Sequence, residues 1–121
     1  MHGEPDAATA RALVDRRRAD IRARLADVDR RLAEVRTARS DWTDEEHDPE
    51  GFALTHEWSQ AAGSRARFEG VLRELDRADA RIDDGTFGTC AVCGRPIPLE
   101  QLERRPEMTI CVACANRATR R

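Results

Sequence analysis

The sequence predicts a mainly α-helical protein: a long antiparallel coiled-coil hairpin, a small four-cysteine module and a short C-terminal helix. Three observations predict this class. Apolar residues recur every seven positions in two stretches of equal length, and four cysteines form two Cys-x-x-Cys pairs near the end. Charged residues make up 36% of the 121 residues and aromatic residues only 4%. A chain this polar is typical of solvent-exposed helices, each of which buries only a narrow apolar stripe.

Two stretches carry the heptad pattern. The first begins near Thr9, after a predicted flexible leader at residues 1–8. Its apolar positions are mostly β-branched and lie at Val14, Ile21, Val28, Val35 and Trp42. The second stretch has the same spacing at Leu54, Ala61, Phe68, Leu75 and Ile82. Each stretch is therefore predicted to be an amphipathic helix.

Residues that start and stop helices mark the second stretch. Asp48 and Pro49 predict its start, because an acidic side chain caps free amides and proline fits the first helical position. Gly85 predicts its end, since glycine readily adopts the left-handed conformation that closes a helix. Residues 9–84 are thus predicted to form one hairpin, with its tip at about residues 43–53.

The two stretches pair best in antiparallel order. Matching Trp42 with Leu54 places Arg18 opposite Asp79, so that two charged residues interrupting the apolar seams meet. We expect an ion pair between them, because an unpaired charge in a helix interface is costly. The same heptads are also compatible with a dimer of two chains. Equal seam lengths and a short connector favour a hairpin within one chain, and hence a monomer.

The cysteines lie in residues 85–121, predicted to form a separate module. Cys90 and Cys93 form one pair and Cys111 and Cys114 the other, with seventeen residues between them. This spacing is typical of a tetrahedral zinc site in which each pair forms a tight knuckle. Gly94 suits the turn after the first pair. We therefore predict a closed, structural Zn²⁺ site.

Sequence features that the chain lacks lead to predictions about its compartment and about catalysis. It has no apolar run long enough to cross a membrane and no signal-peptide pattern. We expect a cytoplasmic protein without membrane association, in which reduced cysteines favour metal over disulfides. No nucleophile–base arrangement or phosphate-binding glycine loop is present, so the sequence predicts that the protein is not an enzyme.

Acidic residues concentrate in one segment. Residues 41–58 hold seven acids and no arginine, although arginine is frequent elsewhere. In a hairpin this segment forms the tip, and its candidate partner-binding residues are Asp44, Asp48 and Glu50. The simpler interpretation is a solvated turn with acids at a helix start. The functional interpretation is a probe that enters a basic cavity or reaches a bound metal ion.

Two other functions stay open on the residues alone. A zinc ribbon can bind DNA or RNA through its arginines, here Arg95, Arg104, Arg105, Arg117, Arg120 and Arg121. No aromatic residues are interleaved with them for base stacking, which argues against this function. A four-cysteine site that loses zinc on oxidation would instead act as a redox-sensing thiol switch.

A longer motif surrounds the cysteines. Arg-Ile-Asp-Asp-Gly-Thr-Phe-Gly-Thr precedes Cys90, Gly-x-x-Ile follows Cys93, and Leu-Glu-x-Arg-Pro precedes the second pair. This stretch resembles the zinc finger of the DksA/TraR family of bacterial transcription regulators, and the hairpin is similar to that of its longer members. The resemblance implies a protein that binds RNA polymerase and not DNA. It also implies that the coiled-coil tip enters the secondary channel to alter initiation, in some members together with ppGpp.

The tip departs from the family pattern. Well-known members carry an Asp-x-x-Asp-x-Ala motif there. This chain reads Asp-Trp-Thr-Asp-Glu-Glu from residue 41 and Glu-Gly-Phe-Ala from residue 50, and neither matches. Asp44, Asp48 and Glu50 are therefore candidates through their charge and position alone.

Overall fold

The computed structural model describes residues 5–40 and 49–119, and for residues 49–52 the backbone alone. Its helices are α1 (Ala7–Ser40), α2 (Pro49–Asp84), α3 (Leu99–Arg104) and α4 (Val112–Thr119). The chain divides into two compact units, Met1–Asp20 with Val71–Arg121, and Ile21–Gly70. Both long helices contribute to each unit. The predicted mainly α class, with a long helical hairpin and a four-cysteine module, is confirmed.

The unit of residues 1–20 and 71–121 has a continuous apolar core. Val14 and Leu75 are fully buried in it, and residues of the cysteine module, among them Phe87 and Leu102, belong to the same cluster. Burying a side chain of this size contributes about 1.5–3 kcal/mol. Val14, the α1 heptad residue of this unit, thus belongs to one cluster with Leu75 and Ile82 of α2, as expected for a hairpin within one molecule.

An aspartate cluster surrounds Arg18 in this unit. Arg18 Nη2 lies 2.6 Å from Asp79 Oδ2 and 3.1 Å from Asp76 Oδ1, and Nη1 lies 3.3 Å from Asp15 Oδ1. The hydrogen bond with Asp79 raises the pKa of Arg18. Arg11 also pairs with Asp79, at 3.9 Å. The structure therefore brings the predicted pair together and adds two aspartates that the seam pattern did not indicate.

In the unit Ile21–Gly70, α1 and α2 are again antiparallel. Arg65 Nε lies 2.7 Å from Asp29 Oδ1, and the guanidinium of Arg36 lies 5.7 Å from the centre of the Trp58 ring. Among the residues of this unit whose side chains are described, the buried apolar ones are Ile21, Leu32, Val35 and Ala61. Within the described residues, no helix has an apolar stretch long enough to cross a bilayer.

The helix ends follow capping chemistry. α1 begins at Ala7, two residues before the predicted start, because Asp6 Oδ1 accepts the Thr9 amide at 2.7 Å. This bond lowers the pKa of Asp6. α2 begins at Pro49 and ends at Asp84, as predicted. After it, Gly85 has a φ of 81°, and its amide and the next one bond back to carbonyls of the last turn.

Two glycines of this region are expected to respond oppositely to alanine. Gly85→Ala should destabilise the protein by about 1–2 kcal/mol, because a Cβ is disfavoured at positive φ. Gly63→Ala, within α2, should stabilise it by up to about 1 kcal/mol, because alanine favours helix. Neither added Cβ would meet a heavy atom within 4 Å, so backbone preference alone decides. Urea unfolding followed by circular dichroism measures both; changes of the same sign would contradict this explanation.

Candidate metal centre

The first cysteine pair lies in a short turn after α2. Thr89 and Pro96 form an antiparallel bridge, and the Ile97 amide donates to the Gly88 carbonyl at 2.7 Å. Gly94 has a φ of 73°, the left-handed conformation predicted for the residue after this pair. The bridge closes the turn and leaves both sulfur atoms on its inner side, within reach of the second pair.

The second pair opens α4. Cys111 directly precedes the helix, and Cys114, which is buried, lies in its first turn. The Ala91 amide donates to the Thr109 carbonyl at 2.8 Å, so backbone joins the two knuckles beside the sulfur atoms. Cys93 is the exposed member of the four cysteines, whereas Cys90 is buried.

The four sulfur atoms have the spacing of a tetrahedral zinc site. All four Sγ atoms lie within 4.8 Å of one another, with 3.8 Å between Cys90 and Cys114 and 4.0 Å between Cys93 and Cys111. Tetrahedral Zn–S bonds of about 2.3 Å place sulfur atoms about 3.8 Å apart, whereas a disulfide requires about 2.0 Å. The donor set therefore fits Zn²⁺ bound by four thiolates.

The surroundings of the sulfur atoms favour the thiolate at Cys90 and the thiol at Cys114. The amides of Cys93 and Cys111 donate to Cys90 Sγ at 3.5 and 3.4 Å, and they lower the pKa of Cys90 to about 6. The neighbouring Cys111 sulfur, together with burial, raises the pKa of Cys114 to about 11. Arg117 Nη2 lies 3.2 Å from Cys114 Sγ, where its charge balances thiolate charge. Metal binding at such a site displaces the remaining thiol protons.

The module matches a known family. Residues 85–120 match the prokaryotic DksA/TraR C4-type zinc finger. The zinc finger of this chain is therefore of the DksA/TraR type. Its four cysteines therefore hold a structural zinc ion, as the spacing of the sulfur atoms also indicates. The family resemblance and the zinc site predicted from the sequence are both confirmed.

Curated relatives cover part of the chain. The chain is 38% identical over 58 residues to the RNA polymerase-binding transcription factor DksA of Caulobacter vibrioides, which covers 48% of this chain and 41% of the relative. It is 29% identical over 62 residues to the protein of the same name from Escherichia coli, covering 51% of this chain and 41% of the relative. The matched stretch thus spans about two fifths of the length of these relatives.

A solved structure shares the fold over most of the chain. Transcription factor DksA2 from Pseudomonas aeruginosa superposes with a TM-score of 0.75 at 24% identity, covering 94% of this chain and 83% of that one. At this identity the similarity establishes the fold. The fold of this chain therefore also occurs in a solved structure.

The predicted tip residues lie outside the described side chains. Asp44 and Asp48 fall in residues 41–48, outside the described residues, and Glu50 lies in α2 with only its backbone described. The DksA/TraR zinc finger and the predicted pair of Arg18 and Asp79 are therefore the predicted sites for which the structure gives contacts.

Two polar side chains of the DksA/TraR module were not singled out by the sequence. Glu107, 6% exposed, accepts a hydrogen bond from Arg17 Nη2 of α1 at 3.2 Å. Arg81 of α2 donates to the Glu107 carbonyl at 3.4 Å. Burial lowers the pKa of Arg81.

Gln101 of α3 bonds to backbone on both sides of Cys111. No sequence pattern indicates either role, because each depends on how residues 94–110 fold back.

The zinc finger also carries the exposed large apolar side chains of the described chain, Val92, Leu99 and Val112. A groove of about 480 Å³ beside Val112 contains Arg104 and Arg105 in its lining. Both arginines are exposed, and neither guanidinium has a hydrogen bond or ion pair within the described residues. Arg117, by contrast, donates a hydrogen bond to the Cys114 sulfur. The family module thus presents both apolar and basic groups on its surface.

Proposed function

We propose that the protein is a DksA/TraR-type transcription regulator that binds RNA polymerase and modulates initiation. The observation that carries the proposal is the combination of a DksA/TraR zinc finger with a long antiparallel helical hairpin in one chain. The relatives named RNA polymerase-binding transcription factors supply the partner. The role is binding and not catalysis, and it places the protein in the cytoplasm.

The proposed mode of action is insertion of the hairpin tip into the secondary channel of the polymerase. The negative segment at residues 41–58 supports it, because seven acids without an arginine suit a channel that surrounds a basic or metal-bearing centre. Asp44, Asp48 and Glu50 are the proposed contact residues. Structural zinc would hold the base of the hairpin, and the chain would act as a monomer because its seams are covered within one chain.

The test is retention of the full chain by core RNA polymerase at low salt, competed by another secondary-channel factor. We expect retention and a change in the yield of initiated transcripts in vitro. In a triple variant, Asp44→Ala with Asp48→Ala and Glu50→Ala, the protein concentration needed for the same transcriptional effect should rise at least about tenfold. This corresponds to a loss of about 1.4 kcal/mol in binding free energy. Repeating the assay with ppGpp determines whether the nucleotide contributes.

The matched control removes three exposed acids from the unit that contains the zinc finger, Glu74→Ala with Glu100→Ala and Glu103→Ala, so that net charge changes equally. It should behave as wild type. No retention of the wild-type chain would refute the proposal. Equal effects of both triple variants would refute the tip assignment alone. Salt-sensitive binding to free DNA would favour the zinc-ribbon alternative, and zinc release by mild peroxide the thiol switch.

A further inference from the structure

Gln101 makes an unusual set of contacts beside the zinc centre. Its Nε2 donates to the Ile110 carbonyl at 2.9 Å, and its Oε1 accepts the Val112 amide at 2.9 Å. Nε2 also lies 3.4 Å from the Met108 sulfur. One side chain thus holds the backbone on both sides of Cys111. The orientation of the amide is fixed by its partners, because the reverse would place donor against donor and acceptor against acceptor.

The peptide group that Gln101 contacts at Ile110 also donates a hydrogen bond to a metal ligand. The Ile110 carbonyl and the Cys111 amide belong to one peptide group, and that amide donates to Cys90 Sγ at 3.4 Å. A carbonyl that accepts a hydrogen bond makes the N–H of the same peptide a stronger donor. The chain of contacts therefore runs from Gln101 through one peptide to the sulfur of Cys90, which belongs to the other knuckle.

The Gln101 side chain starts from a fixed position. Its backbone amide donates to the Pro98 carbonyl at 3.0 Å, and its carbonyl accepts the Arg105 amide at 2.8 Å. The next residue, Leu102, is fully buried in the core. Because α3 is held by this core, the backbone from which the Gln101 side chain extends is fixed.

We propose that Gln101 is a positioning residue for the zinc centre, which aims the Cys111 amide at the Cys90 thiolate and caps the first turn of α4. Partners of metal ligands commonly change metal affinity 10- to 100-fold when they are replaced. Gln101 thereby sets how tightly zinc is held. This role does not depend on what the protein binds, so it stands apart from the proposed function.

The experiment compares zinc affinity, by competition with a chromophoric chelator, in full-length variants. Methionine is about as long as glutamine and is also uncharged. It has no N–H to donate to the Ile110 carbonyl and no oxygen to accept the Val112 amide. The zinc affinity of Gln101→Met should fall at least about tenfold. Gln101→Glu can still accept the Val112 amide but cannot donate to Ile110, and it should also lose affinity. Gln60→Met, at an exposed site of α2, is the matched control and should match wild type.

Two spectroscopic measurements separate positioning from general stability. The Cys111 amide proton of the zinc-loaded protein should shift upfield in both Gln101 variants, because its bond to sulfur weakens. The thiolate-to-metal charge-transfer bands of the cobalt-substituted protein should shift as well. Wild-type affinity and spectra in Gln101→Met would overturn the proposal. If that variant does not fold, Gln101→Glu decides: wild-type values in it would overturn donation to Ile110.

Discussion

Cys114→Ala is expected to weaken zinc binding strongly and to unfold the cysteine module. Structural four-ligand zinc sites bind with about 10–16 kcal/mol of free energy. If four thiolates share this equally, one contributes about 2.5–4 kcal/mol, so its loss lowers zinc affinity by about two to three orders of magnitude. Cys114 is also part of the core that contains Phe87 and Leu102, so the loss reaches beyond the metal. Zinc stoichiometry and the amide spectrum of residues 85–119 measure the two effects.

The matched control is Ala113→Ser, an exposed neighbour that leaves all four thiols in place. It should bind one zinc ion with wild-type affinity. Chelation of zinc from the wild-type chain should reproduce the spectrum of Cys114→Ala. A Cys114→Ala protein with one tightly bound zinc ion and native amide dispersion in the module would contradict a closed four-thiolate site.

The sequence allowed the long helices to be predicted because their contacts repeat. Heptad spacing predicts both the apolar faces and their antiparallel match, and the match places Arg18 opposite Asp79, 2.6 Å apart in the structure. The start of α1 could also have been predicted, since Asp6 stands three residues before Thr9, the spacing of a capping bond. Local chemistry of this kind is visible along the chain.

The contacts of the zinc module with the helices could not be predicted in this way. Glu107 and Arg17 are ninety residues apart, and neither lies in a repeating pattern with the other. Their meeting depends on how the segment between the knuckles folds back over the core. That core contains residues before and after Gly85, among them Leu75 and Ile97. The module has too few apolar residues for a separate core, so it shares that of the helices.

The contact between Glu107 of the zinc module and Arg17 of α1 predicts a second large effect on the free energy of unfolding. Glu107 is 6% exposed and its Oε1 has no partner within the described residues, so Arg17 supplies the compensating charge. Arg17→Ala would leave a buried carboxylate unpaired, at a cost of about 3–5 kcal/mol. Urea unfolding of the zinc-loaded protein measures it. Arg30→Ala, which removes an exposed pair with Asp27, is the control and should cost at most about 1 kcal/mol.

A double variant identifies the source of the cost. Glu107→Gln removes the negative charge and nearly preserves the shape, so adding it to Arg17→Ala should recover at least about 1 kcal/mol of the loss. Lost packing of the arginine chain would instead persist in the double variant. An Arg17→Ala protein as stable as Arg30→Ala would mean that Glu107 reaches water once Arg17 is removed. Recovery by Glu107→Gln would establish that charge compensation, and not surface area, secures the zinc module to α1.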